Sequence, residues 1–189
     1  AMSVLTFAGG LVSAFVSVLL RNLGASFLTV GFVASGYNLA LAAVSFSGGS
    51  LSRCFGGKIV FVVSLLFSLF SMVLYGLASL FISWAFVALG LLFGRLAWGL
   101  RDTSSFSIVS SSVEETRRAT AFGLLSTLYY FGAIAGPIVG GVLAYYLGTS
   151  LLFLLSIPVT ATAIVVVLLK IEKGEIKTKR VFPSWSEVR

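Results

Sequence analysis

Three ionisable residues interrupt an otherwise apolar part of the chain: Arg95, Arg101 and Asp102. An arginine in the middle of a membrane span costs about 2.5–3.5 kcal/mol on insertion scales, so it is rarely kept without a role. On a helix, Arg95 and Asp102 are seven residues apart and share a face, with about 10 Å between them along the axis. Arg95 is therefore predicted to line a central cavity, where it binds an anionic group or steers a proton.

Arg101 and Asp102 have a simpler interpretation. Arg101 lies about 100° around the helix from Asp102, and its long side chain can reach lipid headgroups. We therefore expect the two residues to mark the cytoplasmic interface and to pair with loop residues, with a coupling ion pair as the alternative. Asp102 is the one carboxylate in the apolar segments, and the sequence has no histidine. Proton coupling would thus use Asp102 or an acid in another part of the protein.

Other chemistries find no support in the residue types. The chain has one cysteine, Cys54, and no histidine, which excludes a cysteine/histidine zinc site and a disulfide within the chain. No nucleophile–base pair, metal-ligand set or pair of carboxylates can be recognised. The sequence therefore predicts a protein that is not an enzyme, with no metal and no cofactor.

The elements that position these residues follow from composition. Of 189 residues, 58% are hydrophobic and 10% are charged, against about 45–50% and 25% in soluble domains. Lipid must therefore be the solvent, and spans of about 20 apolar residues are expected. Because the apolar runs are continuous rather than alternating, we predict an all-α membrane protein and not a barrel. The predicted bundle covers 1–170, with helices near 2–20, 27–47, 59–78, 83–105, 120–147 and 151–170.

The positions of the cations predict the topology. The odd-numbered connections hold only Arg21. The remaining cations outside the spans are Arg53, Lys58, Arg117, Arg118, Lys170, Lys173, Lys177, Lys179, Arg180 and Arg189. Positive residues favour the cytoplasmic side, so a multi-pass protein of the cell membrane with both termini cytoplasmic is predicted. The net charge of +7 is then a topology signal with a weak role at anionic lipid, not a nucleic-acid surface. Residues 171–189 form a basic cytoplasmic tail or a linker.

Three glycine-containing patterns occur in order along the chain. The first comprises Gly49, Leu51, Arg53, Gly56, Gly57 and Lys58, between spans two and three. The second is Arg95 with Gly99 in span four, and the third is Gly132, Gly136, Pro137, Gly140 and Gly141 in span five. Small residues spaced by four let two helices approach closely in any membrane protein. We expect the span-five glycines to face a helix in another half of the protein, with a kink or distorted turn at the proline.

Together, these patterns resemble the major facilitator superfamily over nearly the whole chain. The loop after span two is similar to that family's motif A, the span-four arginine to motif B, and the span-five glycines to motif C, which is associated with proton-coupled antiporters. The resemblance implies an N-terminal six-helix half, built of two inverted three-helix repeats, that works with a second half. In motif A, Arg53 and Cys54 replace an acid and an arginine, and Ser111 replaces the acid of span four, so the family's cytoplasmic charge latch cannot form in its usual way.

The resulting prediction is a secondary active transporter of a small solute that works by alternating access. Its partners are the lipid bilayer, the solute and a second six-helix half, in the same chain or as a second copy. A six-helix protein acting as a dimer and a non-transporting assembly factor or channel subunit are the alternatives. Four further polar residues are candidates for the cavity or for contacts between helices: Tyr37, Asn38, Tyr129 and Tyr130.

Overall fold

The computed structural model describes residues 2–170, and this part of the chain is built from α-helices and one short 3-10 turn. In chain order the α-helices are α1 Met2–Ser13, α2 Val16–Asn22, α3 Phe27–Phe55, α4 Gly57–Phe81, α5 Trp84–Ser112, α6 Arg118–Leu147 and α7 Thr149–Lys170. Six segments are long and apolar enough to cross a membrane, and the first of them combines α1 with α2. The predicted all-α membrane fold is confirmed. The predicted tail, 171–189, lies outside the described residues.

The segment after span two is helical where the sequence analysis expected a loop. Helix α3 continues to Phe55, beyond the predicted end at 47, and α4 begins at Gly57. Only Gly56 separates the two helices, and its φ of +86° explains why glycine stands there. The expectation of a loop is wrong, because small and polar residues that follow position 47 pack against other helices and do not end α3. Instead Ser52 is buried, and Gly48 packs against Thr103 of α5.

The first span is broken where the sequence predicted one uninterrupted helix. Between α1 and α2, the backbone N–H of Phe15 donates to the carbonyl of Val12 at 2.9 Å, three residues back. Non-helical backbone at membrane depth is tolerated where it lies within protein or beside a cavity. The break is therefore expected to lie beside a cavity or within a contact between helices.

The helix contacts repeat after three spans. Helix α1 packs against α6 and α7, and α5 packs against α3 and α4. If spans one to three are matched in order with spans four to six, the α1–α6 pair corresponds to α5–α3, and the α1–α7 pair corresponds to α5–α4. Two three-helix repeats require this correspondence. An odd number of crossings per repeat makes the repeats run in opposite directions across the membrane.

Burial differs sharply between the helices. The apolar core joins α1 and α2 to α4, α5 and α7, around side chains such as Leu20, Met72 and Phe153. By contrast, none of the residues in the most apolar stretch of α3 is buried, and the buried residues of α6 are three glycines. Helices α3 and α6 therefore expose apolar sides that can meet lipid or protein.

Candidate functional site

A cavity of about 300 Å³ lies between the two repeats. Helices α1, α4 and α5 form most of its wall, and α2, α6 and α7 each contribute to the remainder. Its polar or aromatic lining residues are Thr6, Ser13, Ser68, Ser71, Tyr75, Arg95, Trp98, Arg101, Tyr129 and Thr160. The lining thus holds two arginines and no aspartate or glutamate within the described part of the chain. The break in the first span adjoins it, since Ser13 and Val16 both line the cavity.

Arg95 lies at this cavity, as the sequence predicted, and its role in binding stays a prediction. Its guanidinium carbon is 4.4 Å from the ring centroid of Tyr37 on α3 and 6.0 Å from that of Trp98. Electron-rich ring faces attract cations, so the two rings partly compensate its charge. Arg95 also lines a second space of about 60 Å³ beside Tyr37. Arg95 therefore borders both cavities, and its guanidinium group is held by aromatic rings.

Arg101 is buried, with 9% of its surface exposed, and lines the main cavity. The expectation that it reaches lipid headgroups is wrong. The separation of about 100° between neighbouring helical residues holds, but it does not tell which of the two side chains faces inward. In the structure Asp102 is the exposed one.

Asp102 does not line the cavity and does not share the environment of Arg95. Among the described residues, neither the expected pairing of Arg101 and Asp102 with loop residues nor the alternative ion pair between the two is present. Within residues 2–170 the one ion pair joins Arg118 and Glu115 at 3.9 Å, on the exposed connection before α6. Neither cavity arginine has a carboxylate of residues 2–170 within 4 Å, and only Arg95 is stacked on aromatic rings.

The glycines of α6 face α1 within the same bundle. A Cβ added at Gly136 would lie 2.7 Å from the Cα of Gly10, and one at Gly132 would lie 2.5 Å from the carbonyl oxygen of Ser3. One added at Gly140 would overlap the carbonyl oxygen of Leu11. The expected close approach is present, but its location in another half is wrong, because α1 already occupies this face.

Two residues beside the glycine stripe complete this contact. The ring of Pro137 packs at Gly10, where an added Cβ would come within 3.1 Å of its Cδ. Gly141 lies at the margin, with its nearest neighbour, Phe15, 3.8 Å from an added Cβ. Helix α6 continues through Pro137, and the expected kink there stays a prediction.

The other predicted patterns serve packing between α3, α4 and α5. A Cβ at Gly99 would meet Val44 at 3.1 Å, and one at Gly57 would meet Ile108 at the same distance. At the end of α3, Gly49 has open space around it, and Leu51 and Arg53 are exposed. Lys58 lies in the first turn of α4.

Two residues, Arg53 and Ser111, stand at positions of the family's charge latch, and the structure shows their surroundings. Arg53 is exposed at the end of α3 and forms no ion pair with a described residue. The hydroxyl of Ser111 donates to the carbonyl of Ile108 at 3.0 Å. Neither residue forms a charge latch within this half.

The polar candidates of spans two and five separate into two groups. Tyr129 lines the main cavity and lies 6.0 Å, centroid to centroid, from Trp98. Tyr37 carries the contact with Arg95. Tyr130 is 61% exposed, and the side-chain amide of Asn38 donates to the carbonyl of Ala34 on its own helix.

Several site residues escaped the sequence analysis. Gly90 and Gly94 of α5 lie against Ser71 of α4, whose hydroxyl donates to the carbonyl of Gly90 at 2.7 Å. This contact holds α4 close to α5 just before Arg95, and the Gly-x-x-x-Gly spacing is the sequence signal for it. Thr160 gave no signal, because one threonine in an apolar helix is ordinary.

Comparison with known proteins gives a consistent result. The family model described as Major Facilitator Superfamily matches residues 1–189. The methylenomycin A resistance protein of Bacillus subtilis (strain 168) is 30% identical over 150 residues, which cover 77% of this chain and 31% of that protein. The tetracenomycin C resistance and export protein of Streptomyces glaucescens is 29% identical over 77% of this chain and 26% of its own length.

A third relative widens the range of organisms. The multidrug resistance protein MdtG of Serratia proteamaculans (strain 568) is 30% identical over 66% of this chain and 29% of its own length. The chain thus spans less than a third of the length of each of these curated relatives. None of these three relatives is named as an enzyme.

Proposed function

The chain belongs to the Major Facilitator Superfamily, and on that premise we propose that it forms half of a secondary active transporter. The transporter moves a small organic solute out of the cell by alternating access. Resistance and export appear in the names of the relatives described above, which supports this direction. Alternating access in such folds is a rocking of one helix bundle against another around a site near the bilayer midplane.

The observation that carries this proposal is the cavity between the two repeats. Ligand sites in repeat-built transporters form where the repeats meet. Here that place holds Arg95 and Arg101, two costly cations at membrane depth. A purely structural bundle would gain stability by replacing them with apolar residues.

A second six-helix half is the proposed partner. The exposed apolar sides of α3 and α6 flank the cavity and offer a surface for it, with lipid around the rest. Because Asp102 lies outside the cavity and no other carboxylate of residues 2–170 lines it, we place any proton-coupling acid in that second half. A dimer of this chain remains the alternative route to the same assembly. Both termini are proposed to be cytoplasmic.

The test is resistance in a bacterial host that lacks its major efflux pumps. Cells producing the full-length protein should tolerate at least one toxic organic compound at a higher concentration than cells with an empty vector. The variant Arg95→Ala should lose this protection at equal membrane abundance. Arg21→Ala is the matched control, because Arg21 bonds to the carbonyl of Ala25 and packs on Phe27 away from the cavity. Equal protection by Arg95→Ala and the unchanged protein would contradict the proposed site.

A further inference from the structure

The main cavity carries positive charge that the described chain does not neutralise. Arg101 is 9% exposed, and no carboxylate of residues 2–170 lies within 4 Å of it. A buried charge without a partner costs several kcal/mol in proteins, so a site that retains one is poised to receive the opposite charge. Arg95 at the same cavity adds a second cation, stacked on rings and not paired with an acid. The charge of the cavity therefore favours an anion.

A free hydroxyl provides an independent observation. Thr160 of α7 lines this cavity and is 3% exposed, yet its Oγ1 has no hydrogen-bond partner among the described residues. Buried polar atoms are nearly always bonded, and an exception needs an explanation such as a ligand or water. The oxygen itself is covered in this structure, so as an O–H donor without a bond it would reach an oxygen acceptor in the cavity by turning towards it.

Three aromatic side chains also line the cavity, beside aliphatic ones such as Leu5 and Met72. Trp98 and Tyr129 lie 6.0 Å apart, centroid to centroid, and Tyr75 contributes a third ring. A volume of about 300 Å³ lies at the lower end of the range for small-molecule sites, roughly 300–1,000 Å³. This space suits one ring-sized molecule and is too small for a two-chain lipid.

We propose that the cavity selects small organic anions that combine one oxyanion with an aromatic or other flat apolar body. Arg101 supplies the compensating charge, Thr160 donates a hydroxyl to the polar part, and Trp98 and Tyr129 contact the flat body. This inference rests on the proposed transport function and names its substrate class. It also predicts that organic cations are rejected, because they would meet two guanidinium groups.

The test uses three ligands of nearly equal shape: phenylacetate, phenylacetamide and phenethylamine. The full-length protein is placed in nanodiscs of zwitterionic lipid, so that no anionic headgroup competes. Binding of radiolabelled phenylacetate is measured by scintillation proximity, and the other two ligands are used as competitors. A charge-assisted hydrogen bond is worth about 1.5–3 kcal/mol, so the amide should bind at least about tenfold more weakly than the acid, and the amine more weakly still.

Variants assign the preference to the cavity. Arg101→Gln should remove the preference for the acid over the amide, and Thr160→Val should weaken phenylacetate binding about two- to fivefold. Arg21→Gln, at an arginine outside the cavity, should leave all three affinities unchanged. Equal affinity for acid, amide and amine, no saturable binding of phenylacetate, or an unchanged preference in Arg101→Gln would each overturn the proposal.

Transport is measured separately, so that the two proposals can fail independently. In vesicles, acid-selective binding without movement of phenylacetate would contradict the transporter function and leave the anion site standing. Transport of phenethylamine, with no preference for phenylacetate, would support the transporter function and overturn the anion site.

Discussion

Two neighbouring glycines of α1 both line the cavity, but they differ in how closely another backbone approaches them. Gly10 lies against α6, where an added Cβ would come within 3.1 Å of the Cα of Gly136. Gly9, one residue earlier, lines the cavity and has no atom within 4 Å of such a Cβ. Towards α6, α1 packs backbone against backbone, whereas at Gly9 it borders an open space that two arginines also line.

Within α1, the contact with α6 therefore relates to the stability of the bundle, and the surface at the cavity relates to function. The closed side, α1 against α6, gains from close packing between small residues, which is a main source of helix association in lipid. On the open side, where α1 faces α5 across the cavity, the helices make fewer packing contacts. The two arginines there are retained at a cost in stability. Changes on the closed side should therefore act on the folded bundle, and changes on the open side on binding.

The largest effect is expected at the centre of the closed side. Gly136→Leu places a side chain where only backbone fits, and overpacking typically costs about 1–3 kcal/mol and occasionally more. The variant should lose most of its folded protein in detergent, seen as a large fall in Tm by fluorescence-detected size exclusion. Gly123→Leu, on the same helix with open space around it, should keep its Tm. Similar values for the two variants would show that the closed side is not close-packed.

A large effect on transport alone is expected at Arg95. Arg95→Ala removes the charge and its ring contacts and should abolish uptake with little change in membrane abundance. Arg95→Lys keeps the charge but loses the planar group that stacks on Tyr37, so part of the activity should remain. The measurement is the initial uptake rate in vesicles, normalised to protein. Equal, small losses in both variants would remove Arg95 from the site.

A smaller, paired effect is expected within α1. Gly10→Ala should destabilise the bundle, because the neighbouring backbone must move by a few tenths of an ångström. Gly9→Ala should be neutral or stabilising by about 0.5–1 kcal/mol, since alanine favours the helix and meets open space. Thermal unfolding of both variants side by side checks the order. Greater loss in Gly9→Ala would reverse the assignment of the two sides.

The smallest effect concerns Cys54, whose labelling reports the orientation of the helices in the membrane. Cys54 is exposed at the end of α3. With the predicted topology, an impermeant thiol reagent should label it in inside-out vesicles and not in intact cells, with no change in Tm. Labelling from outside the cell would contradict the predicted topology, with both termini cytoplasmic.

The sequence allowed the fold to be predicted better than the site. Long apolar runs specify six spans, because lipid leaves few other structures possible. They do not specify the break before Phe15 or the extension of α3 to Phe55, which depend on packing. Likewise, spacing placed Arg101 and Asp102 about 100° apart, but which of them faces inward is set by the neighbouring helices. The hydroxyl of Thr160 became informative only when its surroundings were known.

The most direct test of the central claim measures Tm and uptake in Arg101→Gln and Gly136→Ala together. The account predicts that Arg101→Gln keeps or raises Tm, because an unpaired buried charge is removed, while it loses uptake of the substrate. Gly136→Ala should lower Tm, because its new methyl group meets the backbone of α1 at 2.7 Å. Its remaining folded protein should still take up substrate. A fall in Tm for Arg101→Gln with normal uptake per folded molecule would contradict the account.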